Sequence, residues 1–279
     1  MDRSKSFDGQ RPILYLIATP IGNLKEMSPR ALEIISEMDI IAAEDTRNAF
    51  SLLANYGIKK ELFSLREHNE IEASQHLIEK IKNGKKVAYM SDAGYPGISD
   101  PGYLLVKEMI KNEINVSTIS GSCAFINALV ASGLDTKHFY FYGFLPAKEN
   151  EAKEEILSLK NRKDTLVFYE APHRITKTLN LLRDGLGNRK VCLARELTKL
   201  NEEYIRGELN ELVSLDESTI KGEMVLIVEG NKQENDVDDE KIVARVTYFI
   251  KLGLSQKDAI NVVSEEFGVN KNHVKKLVF

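Results

Sequence analysis

The sequence predicts an α/β fold of two successive α/β domains followed by a small helical module. Three observations predict it. Short apolar runs alternate with helical periodicity from about residue 11 to residue 230, the pattern of sheets covered by helices. Most of these runs are continuously apolar rather than alternating, as expected for strands buried on both faces. Beyond an acidic stretch at 231–240, strand-like runs stop and only helical patterns remain.

Strand-like runs lie at Ile13–Ala18, Ile40–Ala43, Val87–Met90, Val116–Ile119, Phe139–Phe144, Leu166–Tyr169, Val191–Ala194 and Met224–Val228. Between them, Ala31, Ile34, Ile35 and Met38 form an i, i+3, i+4, i+7 stripe after Ser28 as N-cap and Pro29 at the first helical position. Ile175, Leu179, Leu182 and Leu186 form another. A strand ends and a helix begins around Ser120-Gly121-Ser122, so the expected domains are 11–119 and 120–230, with a cleft between them as the favoured ligand site. No internal repeat is visible. Residues 231–240, NKQENDVDDE, read as an acidic linker, and 241–279 as a basic helical module carrying seven Lys/Arg against three acids. Within it, Ser255 caps a helix with the stripe Ile260, Val263 and Phe267, Gly268 ends that helix, and Asn270 caps another with Val274 and Leu277. Such helices resemble a helix-turn-helix and place positive charge where phosphates can meet it; the plainer reading is a helical cap on the main body.

Composition narrows the function classes. A chain of 279 residues, 43% hydrophobic and 29% charged, with net charge −4, is an ordinary globular protein rather than a basic nucleic-acid coat or a membrane protein. No apolar stretch approaches the ~20 residues of a membrane helix, and the opening MDRSKSFDGQ has no apolar signal region. The expectation is a cytoplasmic protein with no membrane partner. Two isolated cysteines, Cys123 and Cys192, suit a reducing compartment and read as small core residues. Neither paired-Cys nor HExxH spacing occurs, so no metal is expected.

Chemistry-bearing residues gather where strands end. The loop after Val87–Met90, SDAGYPGISDPG, holds Asp92, Asp100, three glycines and two prolines. It is neither a GxxxxGK[ST] nor a GxGxxG phosphate loop. Others are Thr19-Pro20-Ile21-Gly22-Asn23-Leu24, Glu44-Asp45-Thr46-Arg47, Glu170-Ala171-Pro172-His173-Arg174 and Arg195-Glu196-Leu197-Thr198-Lys199. Strand ends are where open α/β sheets place ligands, and five such loops carry more weight than one. Each has a bland alternative: a helix-starting acid with a surface ion pair for Glu44, Asp45 and Arg47, a turn cap for Asp92, a first-turn helix residue for His68 or His173, and an interdomain salt bridge for Arg195 and Glu196.

The segments LYLIATPIGNLKEMSPRALE, IIAAEDTR, REHNE, SDAGYPGISDPGY, GFLPAK, YEAPHR, ARELTK and GEMVLIVEG, in this order and spacing, resemble the bacterial 16S rRNA 2′-O-ribose methyltransferases of the decoding centre, within the tetrapyrrole methylase superfamily. The resemblance covers about residues 11–230 closely and the basic tail in kind. It implies two α/β/α domains of class III type, S-adenosylmethionine in the cleft between them, a homodimer, and 2′-O-methylation of cytidine 1402 of 16S rRNA in the small ribosomal subunit. Carried over residue by residue, it implies a cofactor site of Pro20, Ser91, Asp92, Ala93, Gly94 and Ile98, the turn Ser120, Gly121 and Ser122, and Tyr169, Ala171, Ala194, Arg195, Glu223 and Met224. Two departures stand out: Tyr95 replaces a small residue, often Thr, and Ser120-Gly121-Ser122 replaces Pro-Gly-Pro. The loss of two prolines loosens the turn, and Tyr95 is placed to narrow the cleft or to stack on a ring.

A ribose hydroxyl is a weak nucleophile, so a base or polarising cation is expected beside it. Glu44, Asp45, His68, Glu170 and His173 are the candidates, unranked by sequence. Arg47, Arg174, Arg195 and Lys199 are candidates for RNA phosphates, and the target is expected to be single-stranded or splayed. Competing readings are a methyltransferase of the same superfamily acting on a tetrapyrrole or protein side chain, a non-catalytic RNA-binding assembly factor, and a DNA-binding tail with an α/β sensor.

Overall fold

The computed structural model describes residues 5, 9, 11–216, 220–232 and 239–278. Two units emerge, residues 1–230 and 231–279. The first contains two five-stranded sheets. Its chain order begins β1 (Ile13–Ile17), α1 (Pro29–Glu37), β2 (Ile40–Ala43), α2 (Thr46–Asn55), β3 (Glu61–Ser64), α3 (Glu70–Lys82), β4 (Val87–Met90), α4 (Tyr103–Lys111) and β5 (Asn115–Ile119). These strands form an all-parallel sheet in the order β3-β2-β4-β1-β5.

Burial on both faces explains the apolar runs. Leu14, Leu16, Ile40 and Tyr89 pack towards Leu77 of α3 and Leu105 and Met109 of α4. Their strand neighbours Ile17, Ile41, Ala88 and Met90 pack towards Ile35 of α1 and Leu53 of α2. The α1 start is as the sequence predicts: Ser28 accepts from the Ala31 N–H at 3.1 Å, with Pro29 at the first helical position.

The second half continues with α5 (Ala124–Ala131), β6 (Phe139–Phe144), α6 (Glu149–Ser158), β7 (Thr165–Glu170), α7 (Ile175–Leu186), β8 (Lys190–Arg195), β9 (Glu203–Glu208), α8 (Leu209–Leu212) and β10 (Met224–Val228). Sheet order is β6-β7-β10-β8-β9, with β6 and β7 parallel and the remaining pairs antiparallel. The α7 stripe Ile175, Leu179, Leu182 and Leu186 is buried, and its packing partners include Phe168, Leu193 and Leu226. Each such side chain contributes on the order of 2 kcal/mol relative to exposure. α5 begins directly after the turn at 120–122 and packs on the other face, with Ala128 and Leu129 in one cluster with Val167, Cys192, Val225 and Ile227.

Two strands escape the sequence reading, β3 and β9. Both are edge strands; their sequences, ELFS and EYIRGE, are only partly buried, so no continuous apolar run marks them.

The second unit holds α9 (Asp239–Lys251), α10 (Gln256–Phe267) and α11 (Lys271–Val278) around Ile242, Val246, Ala259, Ile260, Val263 and Val274. Ser255 accepts from the Asp258 N–H at 3.2 Å, and Gly268 ends α10 with φ 63°. Of the expected acidic linker, 233–238 lie outside the described residues. Among the described residues no helix is long and apolar enough to cross a membrane.

Candidate active site

Parallel strands deliver their carboxyl ends to one edge, so the loops after β1, β2, β4 and β5 meet there. The β4 loop is clamped to the β1 loop by a short antiparallel bridge: the Thr19 N–H donates to the Gly94 carbonyl at 2.9 Å and the Gly94 N–H to that of Thr19 at 3.1 Å. Thr19 Oγ1 also donates to the Ser91 carbonyl and Ser91 Oγ to that of Gly94, both at 3.3 Å. Gly94 takes φ 76°, a conformation that side chains with a Cβ resist.

The same loop then folds over the start of α4. Gly102 and Leu105 donate their N–H groups to Glu70 Oε1 at 2.9 and 3.0 Å, so a buried carboxylate from α3 caps α4. Tyr89 Oη and the Gly97 N–H both donate to the Pro101 carbonyl at 3.0 Å. Ser99 is held at φ 61°, the kind of local strain that surrounding bonds must enforce.

The two departures from the resembled family meet each other. Tyr95 Oη accepts from the Gly121 N–H at 3.2 Å, and Ser122 Oγ donates to Glu26 Oε2 at 2.5 Å. A Cβ at Gly121 would stand 2.9 Å from the Ala18 carbonyl oxygen, so the turn packs too closely on β1 for any side chain there. Hydrogen bonds thus hold a turn that lacks flanking prolines.

From the second sheet, the ends of β7 and β8 and the start of β10 share one edge, since Met224 pairs with both Glu170 and Arg195. Glu170 is buried: Oε1 accepts from the Ala171 N–H at 2.8 Å and lies 3.4 Å from Arg174 Nε, while Oε2 accepts from Thr178 at 2.5 Å. Arg174 also donates to the carbonyls of Leu145 and Pro146. Arg195 pairs with Glu203 of β9 at 2.5 Å, and Lys199 with Glu196 at 3.0 Å and Glu223 at 3.8 Å. Glu196 and Thr198 take φ 51° and 68°, and the buried Thr198 Oγ1 has no hydrogen-bond partner; a β-branched residue in this region is a true outlier.

Between these two sets of loops lies a cleft of about 260 Å³. Ile21, Ala93, Gly94, Tyr95, Ile98, Ser99, Asp100, Cys123 and Ala124 line it from the first half of the chain and the start of α5. Phe144, Tyr169, Glu170, Ala171, Pro172, Leu197, Glu223, Met224 and Val225 line it from the second. Burial, reinforced by the charges of Glu44 and Asp92, pushes the Asp100 carboxyl up to about 6. Burial likewise raises Glu44, with Asp92 and Glu67 adding to it, and raises the Tyr169 phenol and the Cys123 thiol.

Of the residues implied for the cofactor, Ala93, Gly94, Ile98, Tyr169, Ala171, Glu223 and Met224 line this cleft. Pro20, Ser91 and Ala194 are buried in its supporting structure, Ser120 is exposed, and Gly121 and Ser122 form the turn held by Tyr95 and Glu26. Asp92 faces away from the lining: it accepts from the Asp45 N–H at 3.3 Å and from Asn48 at 2.7 Å, joining the β4 loop to the first turn of α2. Of the base candidates only Glu170 lines the cleft. Asp45 caps α2 and pairs with Arg47 at 2.5 Å, which holds its carboxyl well below the usual range. His68 and His173 are exposed in single-turn helices. Arg47 borders a separate open depression with Thr46, Phe50, Ser51 and Leu62.

Cys192 is core, as its isolation in sequence suggests, but Cys123 is half-buried and lines the cleft. Asp100 and Phe144 were also outside the expected site. Asp100 sits in the motif that first marked the region, so the signal was present; Phe144 ends an aromatic edge strand and carried none. Among the described residues, no three His, Cys, Asp or Glu side chains gather as a metal site.

The profile described as Tetrapyrrole (Corrin/Porphyrin) Methylases matches residues 13–213. A protein of Halalkalibacterium halodurans named ribosomal RNA small subunit methyltransferase I is 45% identical over 269 residues, covering 94% of this chain and 92% of its own. One of the same name from Bacillus subtilis is 42% identical, covering 98% and 96%. Among solved structures, the methyltransferase CobJ superposes with TM-score 0.60 at 17% identity, over 79% of this chain and 95% of its own. Diphthine synthase superposes with TM-score 0.61 at 15% identity, over 78% and 89%. These structures share the arrangement of two α/β sheets, and with the profile and the full-length relatives they establish that this chain belongs to the tetrapyrrole methylase family.

Proposed function

We propose that the chain methylates 16S rRNA, transferring a methyl group from S-adenosylmethionine to the ribose 2′-hydroxyl of cytidine 1402 in the decoding centre. The observation that carries this reading is the 45% identity, along nearly the whole of both chains, with a relative named for ribosomal RNA small subunit methylation. The cleft fits the cofactor. Tyr169, Met224, Val225, Ile98 and Leu197 supply aromatic and aliphatic surface for an adenine and a thioether. Gly94, in a conformation open to glycine, keeps that part of the wall free of side chain. Asp100, Glu170 and Glu223 make the lining acidic, which favours a cation. S-adenosylmethionine supplies an electrophilic methyl group on a sulfonium. The protein's share of the reaction is orientation in a cleft shielded from water, plus removal of one proton.

Charge placement supports an RNA acceptor. Arg47 stays exposed although paired with Asp45, and it lies beside the exposed Phe50 in the depression at α2, an arrangement suited to a phosphate and a stacked base once that pair opens. In the second unit, Lys251, Lys257, Lys271, Lys275 and Lys276 are all exposed, and this module is proposed to add phosphate contacts.

The test is transfer of labelled methyl to small ribosomal subunits lacking the modification, with the position mapped by primer extension sensitive to 2′-O-methylation. A single methylated cytidine in the decoding region is expected; transfer to a base or to another RNA would overturn the acceptor assignment. Removing residues 233–279 should weaken subunit binding about tenfold or more while leaving cofactor affinity unchanged, and equal loss of both would make the module structural. Sedimentation of the full-length and shortened proteins should give dimers in both cases, as the family resemblance implies.

A further inference from the structure

We propose that Asp100 is the general base of the transfer, the group that receives the proton of the acceptor hydroxyl; this rests on the methyl-transfer reading above. Three carboxylates line the cleft among the described residues: Asp100, Glu170 and Glu223. The oxygens of Glu170 are committed to Ala171, Thr178 and Arg174, three partners that hold a structural anion. Glu223 is 80% exposed and 3.8 Å from the Lys199 ammonium, so it is well solvated and close to a cation. Among the described residues Asp100 has no cationic partner, and the one side chain that hydrogen-bonds it is the Ser91 hydroxyl, which also donates to the Gly94 carbonyl. It is partly buried, and the charges that bear on it are the like charges of Glu44 and Asp92, not a lysine or arginine.

Its position is fixed by the backbone on both sides. Ser99 before it is held at φ 61°, and Pro101 after it restricts Asp100 to extended conformations. The Pro101 carbonyl is gripped by Tyr89 Oη and the Gly97 N–H, and the next residue, Gly102, is tied to Glu70. A carboxylate set in such a frame does not need to be ordered when substrate arrives.

The groups that bear on it electrostatically are Glu44 at the end of β2, Asp92 and Ser91 in its own loop, Tyr89 on β4 and Tyr169 on β7. Burial and the Glu44 charge raise its affinity for a proton, a hydrogen bond from the Ser91 hydroxyl opposes them, and Asp92 adds a smaller push in the same direction as Glu44. A carboxyl at about 6 is ionised at neutral pH yet more basic than an ordinary aspartate, which is what general-base catalysis requires. In the step, the ribose oxygen forms a bond to the methyl carbon and the carbon–sulfur bond breaks with its electron pair passing to sulfur. The hydroxyl proton passes to a carboxylate oxygen of Asp100, so a sulfonium and a carboxylate become a neutral thioether and a carboxylic acid.

The experiment compares wild type, Asp100→Asn and Asp100→Glu on small subunits under saturating cofactor, with cofactor affinity by calorimetry and the carboxyl titration by NMR in the cofactor-free protein. Asp100→Asn should lower kcat about 100-fold or more, the range of general-base catalysis, with cofactor Kd within about threefold. The wild-type kcat/KM for cofactor, which reports the cofactor-free protein, should fall below about pH 6, Asp100→Glu should keep a displaced acid limb, and Asp100→Asn should lose it. The NMR titration should show one carboxyl near 6 that is missing from Asp100→Asn. A kcat within tenfold of wild type overturns the proposal, and such a kcat together with a cofactor Kd raised more than about tenfold would make Asp100 a binding anion only. An inactive wild type instead overturns the acceptor reading. Should Asp100→Asn fail to fold by thermal melting, Asp100→Ser carries the same comparison.

Discussion

The two walls of the cleft both carry carboxylates, yet they treat them differently. On the second-sheet wall each acid has a neutralising partner: Glu170 has Arg174, with Thr178 as a further donor, and Glu223 has Lys199. On the first-sheet wall, Asp100 is raised by burial and by its acidic neighbours Glu44 and Asp92. The aromatic and aliphatic surface lies mostly opposite them, in Phe144, Tyr169, Leu197, Met224 and Val225. One wall is therefore built to hold its shape and present apolar surface, and the other keeps basicity in reserve. The difference follows from the chain: antiparallel β10 brings Met224 beside Glu170 and Arg195 with short supports, whereas parallel strands bring several long polar loops to one edge, where their acids crowd.

The strongest way to break this comparison is Glu170→Ala. It leaves Thr178 and the Ala171 N–H without their acceptor and Arg174 with only the Leu145 and Pro146 carbonyls, and removing one partner of a buried pair costs about 3 kcal/mol. Chemical denaturation should register that loss. A change below about 0.5 kcal/mol would mean that the second wall does not depend on its neutralised acid. A smaller effect is expected at the turn of residues 120–122. Tyr95→Phe keeps the ring and removes only the acceptor for the Gly121 N–H, worth about 1 kcal/mol of stability, so the melting temperature should fall slightly and cofactor Kd should rise by up to about fivefold where binding must re-order the turn. Unchanged affinity would assign the turn to the Ser122–Glu26 bond alone.

Much of the framework was legible in the sequence because burial on two faces leaves a plain mark. Strands β2, β4, β6 and β10 have the same bounds in sequence and structure, and Ser28 and Ser255 cap where their positions predict. Edge strands β3 and β9 left no such mark, since none of their residues is fully buried. The site was legible in its loops and less so in its atoms. Asp92 looks the more functional acid of its loop, sitting directly after a buried strand, yet it turns towards α2. Asp100, eight residues on, is brought to the cleft by the fold of the loop. Tyr95 and Gly121 are 26 positions apart, and no local pattern joins them. Cys123 reads as core because cysteine is small and apolar, but it occupies the first position before α5, where the cleft opens.

What the sequence by itself determined is whatever depends on local periodicity and chain order: the α/β alternation, the caps, the polar loops at strand ends and the basic helical module. Only the tertiary structure decided which acids are spent on holding the walls and which one is left facing the cleft. That choice depends on which donors from distant elements reach each carboxylate, and on how much water each retains. Both are properties of the packed molecule rather than of any segment of it.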